Sequence, residues 1–432
     1  MAYSKLRTQP KENNLLYYGL LLYLIVFYTQ IAARIPALAP FRVEFIIGSV
    51  LVLCGLLRLL RREIDFKENK LNTAALLFLT AAFITIPFAF VKMRALNMFI
   101  SLFKFFSVYL MIITIIDNEK KLKGFVYLYL AMIALLFVEP FILSLQGEGF
   151  IYNNHMMRLA GITGYFKHPN QLGGITAENI PFFYYLMRHD KSKAVKLVSL
   201  ILMIIGLRVI MLTQSRTAFI GVMIFGLYLL ATSKKKVLCS ILLILSVLLL
   251  WNFAPPETKN RFLTLSNLGD VITYDQQDDQ QEFRREDHEK YGSMASRWTL
   301  IRRSLIVFAE NPVLGVGLDC FISVNGRRWG LWFPPHSTYT QALCEMGIVG
   351  TFAFICVVFL TFKNLSYAKS IMKKIQAQDH FIIFMVNALT AYLVVRLAVS
   401  FFGIELYANY WWLAGGLSLV VLRVIKRTTP RA

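Results

Sequence analysis

The sequence predicts an all-α fold: a polytopic transmembrane helical bundle of about twelve spans with one long outer loop. Three observations predict it. Of 432 residues, 57% are hydrophobic and only 16% charged, and the mean hydropathy is +0.56. Apolar runs of about 17–25 residues recur along most of the chain, the length a helix needs to cross a bilayer. The basic residues cluster in short loops between those runs, as the positive-inside rule requires of cytoplasmic connections. The formal net charge of +21 is therefore read as topology. Membrane lipids are the expected surroundings, and no nucleic-acid partner is expected.

The elements follow in order from hydropathy and charge. A short polar start with Lys5, Arg7 and Lys11 is placed in the cytoplasm. Span 1, about 14–33, lacks a small-residue cleavage site and precedes many further spans, so it is not read as a signal peptide. Span 2, about 43–60, leads into Arg58, Arg61, Arg62, Lys67 and Lys70. Spans 3 and 4, about 71–91 and 95–116, end at Lys120, Lys121 and Lys123. Span 5, about 124–144, opens a Gly-rich outer loop, about 145–170. Span 6, about 171–187, exits into Arg188, Lys191, Lys193 and Lys196. Spans 7 and 8, about 197–213 and 217–233, form a hairpin whose outer tip is Gln214-Ser215-Arg216. Lys234, Lys235 and Lys236 close it inside. Span 9, about 237–254, stops at Pro255-Pro256. Spans 10, 11 and 12, about 337–362, 381–400 and 407–423, complete the set. The chain thus divides into 1–254 with nine spans, 255–335 as the long outer loop with a helical segment, and 336–432 with three spans and a cytoplasmic tail. The acidic, Gln-rich stretch Asp270–Lys290 reads as solvated surface of that loop, Asp278-Asp279 included. Cys54, Cys239, Cys320, Cys344 and Cys356 are scattered and form neither a disulfide framework nor a metal pattern, so no metal or cofactor is expected.

Four constellations on the predicted outer side could carry chemistry. Ionisable groups beside a membrane are functional candidates by default. The first is Arg158 to Gly174, RLAGITGYFKHPNQLGG. Its glycines permit unusual backbone angles, Pro169 suits a first helical turn, and Asn170 with the free N–H groups there could meet an anion. A plain loop and helix cap is the equal alternative. The second is Ser215-Arg216-Thr217. Arg216 either snorkels to water or grips phosphate with its fixed fork of donors. The third is Arg297, with Arg302 and Arg303, on a segment whose Trp298, Ile301, Leu305 and Phe308 recur at helical spacing before Asn311-Pro312. It is either a basic helix lying on the membrane or a second cationic grip on a lipid-linked anion. The fourth is His336, after Pro334-Pro335 and before a long apolar helix. There the helix dipole favours a neutral imidazole, the form a general base needs. Glu345, deeper on the same helix, should pair with another group, and Gly347 and Gly350 suit close helix packing.

These pieces resemble the O-antigen ligase / O-antigen polymerase family of bacterial integral-membrane glycosyltransferases. The match is carried by Arg158 with Gly161 and His168-Pro169-Asn170, by Ser215-Arg216-Thr217-Ala218, and by Ser296-Arg297. Asn311-Pro312-Val313-Leu314-Gly315-Val316-Gly317 follows, then His336 with Tyr339, Glu345, Gly347 and Gly350. The resemblance covers roughly 155–360. Ser337 stands where the family commonly has Asn. The resemblance implies a GT-C-like fold in the bacterial inner membrane with the active site facing the periplasm. It implies an undecaprenyl-diphosphate-linked glycan as donor and a metal-independent, inverting transfer. The acceptor would be lipid A–core for a ligase or a lipid-linked glycan repeat for a polymerase; the family also contains enzymes that glycosylate proteins. Arg216 and Arg297, with Arg158 as a third, are assigned to the diphosphate and His336 to the base, supported by Glu345, Asn170, His168 and Ser215. A transporter of the lipid-linked glycan is the alternative from another class, with Lys104, Arg208 and Arg396 as intramembrane charges.

Overall fold

In a computed structural model, the protein is described over residues 14–153, 156–237, 240–241, 252, 259, 285–375 and 379–428. Most of predicted span 9 and of the Asp270–Lys290 stretch lies outside the described residues. The other eleven predicted spans each coincide with a helix, and among the described residues one short hairpin interrupts them. These are α1 (Asn14–Thr29), α3 (Val43–Leu60), α4 (Lys70–Thr85), α5 (Lys92–Ile115), α6 (Glu119–Leu145), α7 (Pro169–His189), α8 (Lys193–Thr213) and α9 (Arg216–Thr232). After the long loop come α12 (Thr338–Lys374), α13 (His380–Val399) and α14 (Asn409–Thr428). The one-turn α2 (Ile31–Arg34) follows α1, and α10 (Arg285–Glu310) and α11 (Phe321–Trp329) lie in the long loop. The hairpin pairs β1 (Phe150–Asn153) with β2 (Met156–Leu159), Ile151 facing Arg158.

Among the described residues seven helical stretches are long and apolar enough to cross a membrane, and α1 and α9 are shorter apolar helices. The figure of about twelve therefore exceeds what length and composition alone support. Two of the helices outside that set have a physical reason. α7 is surrounded by α8, α9 and α13 and buries Thr176, Glu178 and Asn179 together with its apolar residues. α14 likewise buries nearly all of its length. Neither helix needs an apolar coat of its own. The lipid-facing sides belong to helices such as α3 and α12, whose Phe45, Ile46, Leu53, Phe352 and Phe359 are exposed.

α12 does not run straight. At Gly347 its backbone turns to φ +62°, ψ −166°, which frees hydrogen-bonding groups on both sides of the break. The Asn311–Gly317 segment takes them. Val316 and Gly317 donate to the carbonyls of Cys344 and Glu345 at 2.9 and 3.0 Å. Ile348 and Val349 donate to Pro312 and Val313 at 2.8 and 3.4 Å. Backbone groups in an apolar environment must find partners, and this clasp supplies them. Gly315 and Gly317 also have positive φ, +65° and +97°. On the far side of the clasp Phe90 donates to the Val316 carbonyl at 2.8 Å, and Arg94 pairs with Asp319 at 2.8 Å. Gly347 is thus a helix break built to receive the Asn311-Pro312 motif, which corrects the expectation of a packing glycine. A side chain on Gly350 would first meet Met346 of its own helix.

Candidate active site

Segments remote in sequence converge where α7 and α12 begin. Arg158, on β2, is 1% exposed. Its Nε donates to the carbonyl of Thr213 at 2.9 Å and its Nη2 to Asn170 Oδ1 at 2.6 Å. One guanidinium thereby ties the hairpin to the end of α8 and to the first turn of α7. Thr213 lies three residues before Arg216, so the same contact brings in the α8–α9 turn. There Gln214 is left-handed (φ +50°) and donates to the Met157 carbonyl at 3.2 Å. Ser215 caps α9, accepting from the Ala218 N–H at 3.4 Å. Arg216 is the first residue of α9 and is half-buried.

His168 is the N-cap of α7, and its Nδ1 accepts from the Asn170 N–H at 3.2 Å. The proton of the neutral ring therefore sits on Nε2. Its pKa lies below the ordinary imidazole value because of burial, then the positive charges of Arg158 and Arg297. His336 stands just before the Ser337 cap of α12, in the left-handed region at φ +55°. Burial first, then Arg297, then His168 push it down to about 4. It is neutral near pH 7, and the main causes are desolvation and neighbouring cations. Arg297 thus acts on both imidazoles from α10, where it is half-buried.

The site therefore gathers Arg158, His168, Asn170, Arg297 and His336, with Arg216 on the adjoining turn. Arg303 is turned elsewhere: it donates to Asn325 at 3.4 Å and stacks on Trp329, joining α10 to α11. α10 packs through Leu300, Ser304 and Val307, while Trp298 and Leu305 are exposed. The Trp298–Leu305 face therefore points away from the bundle. Glu345 lies below the site, about 12 Å along α12 from the His336 end. It is buried and accepts from Tyr407 at 2.8 Å, Gln341 at 3.2 Å and the Phe321 N–H at 3.4 Å. It belongs to the clasp around Gly347.

A buried ion network went unread in the sequence. Arg396 of α13 donates to Glu178 of α7 at 2.6 Å and to Glu405, and its guanidinium lies 4.1 Å from the Tyr410 ring. The signal was available as single acidic residues inside or beside apolar runs. Arg208 by contrast is exposed on α8. Cavities of about 370 and 460 Å³ lie elsewhere, one at the other end of α7 beside His189 and Asp190, the other between Phe88 and Arg327. Among the described residues no cluster of three or more His, Cys, Asp or Glu forms a metal site.

Residues 200–355 match the family model described as O-antigen ligase. Two curated relatives, from Rickettsia felis and Rickettsia conorii, are provisionally named polysaccharide ligases. Each is 25% identical, over 116 and 136 residues, or 27% and 29% of this chain. The chain spans about a quarter of the length of these relatives, 25% and 29%. The matched region holds Arg216, Arg297, the Asn311–Gly317 clasp and His336, and over it the chain is similar to the O-antigen ligase family.

Proposed function

We propose that the protein is an inner-membrane glycosyltransferase of the O-antigen ligase type. It moves a glycan from undecaprenyl diphosphate to an acceptor hydroxyl on the periplasmic side, with lipid A–core as the acceptor. The observation that carries the reading is the junction at the start of α7, where buried Arg158 ties β2 to the Thr213 carbonyl and to Asn170, beside the His168 cap, with Arg297 and His336 close enough for their charges to interact. Such a site has positive charge for a diphosphate and an unprotonated nitrogen for a hydroxyl.

The step balances on these groups. An imidazole nitrogen of His336 accepts the proton of the acceptor hydroxyl. The oxygen attacks the anomeric carbon from the face opposite the leaving group. The bond to the diphosphate breaks, and its electron pair leaves on the lipid diphosphate. Arg216 and Arg297 hold that charge as it develops, and the configuration inverts. The cations that depress His336 also serve the base. Once the donor's anionic diphosphate lies on Arg297, their repulsion of an imidazolium is offset and His336 becomes a stronger base. Proton affinity thus rises when the donor is in place.

A transporter reading relies on intramembrane charges such as Arg396, and that guanidinium is paired with Glu178 and Glu405. Transfer by purified protein, from a lipid-diphosphate glycan to lipid A–core, tests the proposal. Product is expected, and it should persist in EDTA. No product from a folded preparation that binds donor would defeat the transferase reading. Dependence on added Mg²⁺ or Mn²⁺ would mean that a cation handles the diphosphate. A deletion strain separates acceptors: loss of all capped lipopolysaccharide marks a ligase, and a single capped repeat marks a polymerase.

A further inference from the structure

We propose that the buried Glu178–Arg396–Glu405 network is a positioning device that fixes His336 against the Arg158–His168 half of the site. The inference rests on the reading of His336 as the base. The three side chains come from α7, from α13 and from the segment joining α13 to α14. All are nearly inaccessible: Arg396 and Glu178 are 1% exposed and Glu405 7% as side chains. Charges removed from water inside a membrane bundle are costly, and apolar residues would stabilise at least as well. Their placement points to geometry.

The connections run to both halves of the site. Glu178 lies on α7 eight residues beyond Asn170, about 12 Å along the helix that His168 caps. Glu405 leads to α12. Its backbone N–H donates to Thr338 Oγ1 at 3.1 Å, and Thr338 Oγ donates to the Gly403 carbonyl at 3.0 Å. Leu406 N–H donates to Gln341 Oε1 at 3.4 Å, and Tyr339 Oη donates to the Leu397 carbonyl at 2.7 Å. The first turn of α12 is thereby stapled to the 397–406 segment. His336 directly precedes that turn and holds a left-handed backbone conformation, which persists only where surrounding structure enforces it. Arg396 spans both carboxylates with different nitrogens, which a lysine cannot reproduce.

The test replaces the network with apolar side chains of similar length, Glu178→Met, Arg396→Met and Glu405→Met together, so that no buried charge is left alone. Thr338→Val is the milder variant, which removes only the staple. Two quantities are read on each folded, detergent-purified variant. One is kcat and KM for transfer. The other is the rate at which diethyl pyrocarbonate modifies His336, followed on its peptide by mass spectrometry, with no substrate present. The expected results for the triple variant are a kcat lower by about 10²-fold, as for an ångström-scale misplacement, a donor KM within a few-fold, and several-fold faster modification of His336. Thr338→Val should move both readouts the same way by less. Unchanged kcat with unchanged His336 modification in either folded variant would overturn the proposal. If the wild type shows no transfer at all, the modification rates alone decide the positioning, while the transferase reading falls separately.

Discussion

At the scale of single residues, the proposed chemistry rests on how burial, and after it the charge of Arg297, keeps His336 neutral. In the proposed mechanism the neutral imidazole is the working form. Activity is therefore present above its pKa and lost as pH falls through it. In free enzyme that pKa is pushed down to about 4, so the acid limb of kcat/KM should lie near there. The acid limb of kcat, which reports the donor complex, should lie higher, because bound diphosphate offsets the Arg297 charge. Arg297→Ala should raise the kcat/KM limb part of the way toward the ordinary histidine value, since the larger effect of burial remains, while weakening donor binding. A pH–rate profile checks both shifts, and an unmoved limb in Arg297→Ala would separate that arginine from His336. Arg216→Ala should weaken donor binding as well as turnover, since the diphosphate is charged before and during transfer. Arg216→Lys should restore little of it if two guanidinium nitrogens are engaged. A donor titration against purified variants measures this.

At the scale of elements, the break in α12 at Gly347 determines how the long loop meets the bundle. A side chain there would run into the Val313 carbonyl, and one on Gly315 would come within 2.5 Å of the Glu345 backbone. Gly347→Ala should therefore cost at least about 3 kcal/mol, combining a strained backbone with a contact to main chain that has nowhere to move. It should appear as a lower thermal transition in detergent. Gly174→Ala in α7 has open space around the added methyl and should leave the transition unchanged or raise it. Equal behaviour of the two variants would remove the clasp from the account. The sequence showed the glycines and the Asn311-Pro312 turn but not their engagement, because the partners are backbone groups that no residue type announces. The α10 pattern was legible as a helix yet ambiguous in facing. Trp298 and Leu305 have helical spacing, and hydropathy does not distinguish a lipid neighbour from a protein one.

At the scale of the whole molecule, hydropathy and charge located helices well because each span sums many weak preferences over its length. α7 shows the limit. Its Glu178 and Asn179 lower its apolarity because it is buried among other helices. Arg396 was visible as a charge inside an apolar run, but its partners lie 218 and 9 residues away, a pairing only the fold creates. The residues that converge at the candidate site were legible as motifs, and a helix cap was one reading of the 158–174 stretch. The tie made by Arg158 was not legible, since it depends on the Thr213 carbonyl lying opposite. Topology remains the global expectation. Cysteine labelling should place residues 255–335 on the periplasmic face with the 145–170 loop, and Lys234–Lys236 in the cytoplasm. A long loop facing the cytoplasm would remove the site from a periplasmic donor.

The most direct test of the central claim is transfer and donor binding measured together on purified His336→Ala. General-base catalysis contributes about 10²–10⁴-fold. The expected result is a loss of transfer of that order with donor binding retained. Near-wild-type transfer by a folded His336→Ala protein would contradict the assignment of His336 as base.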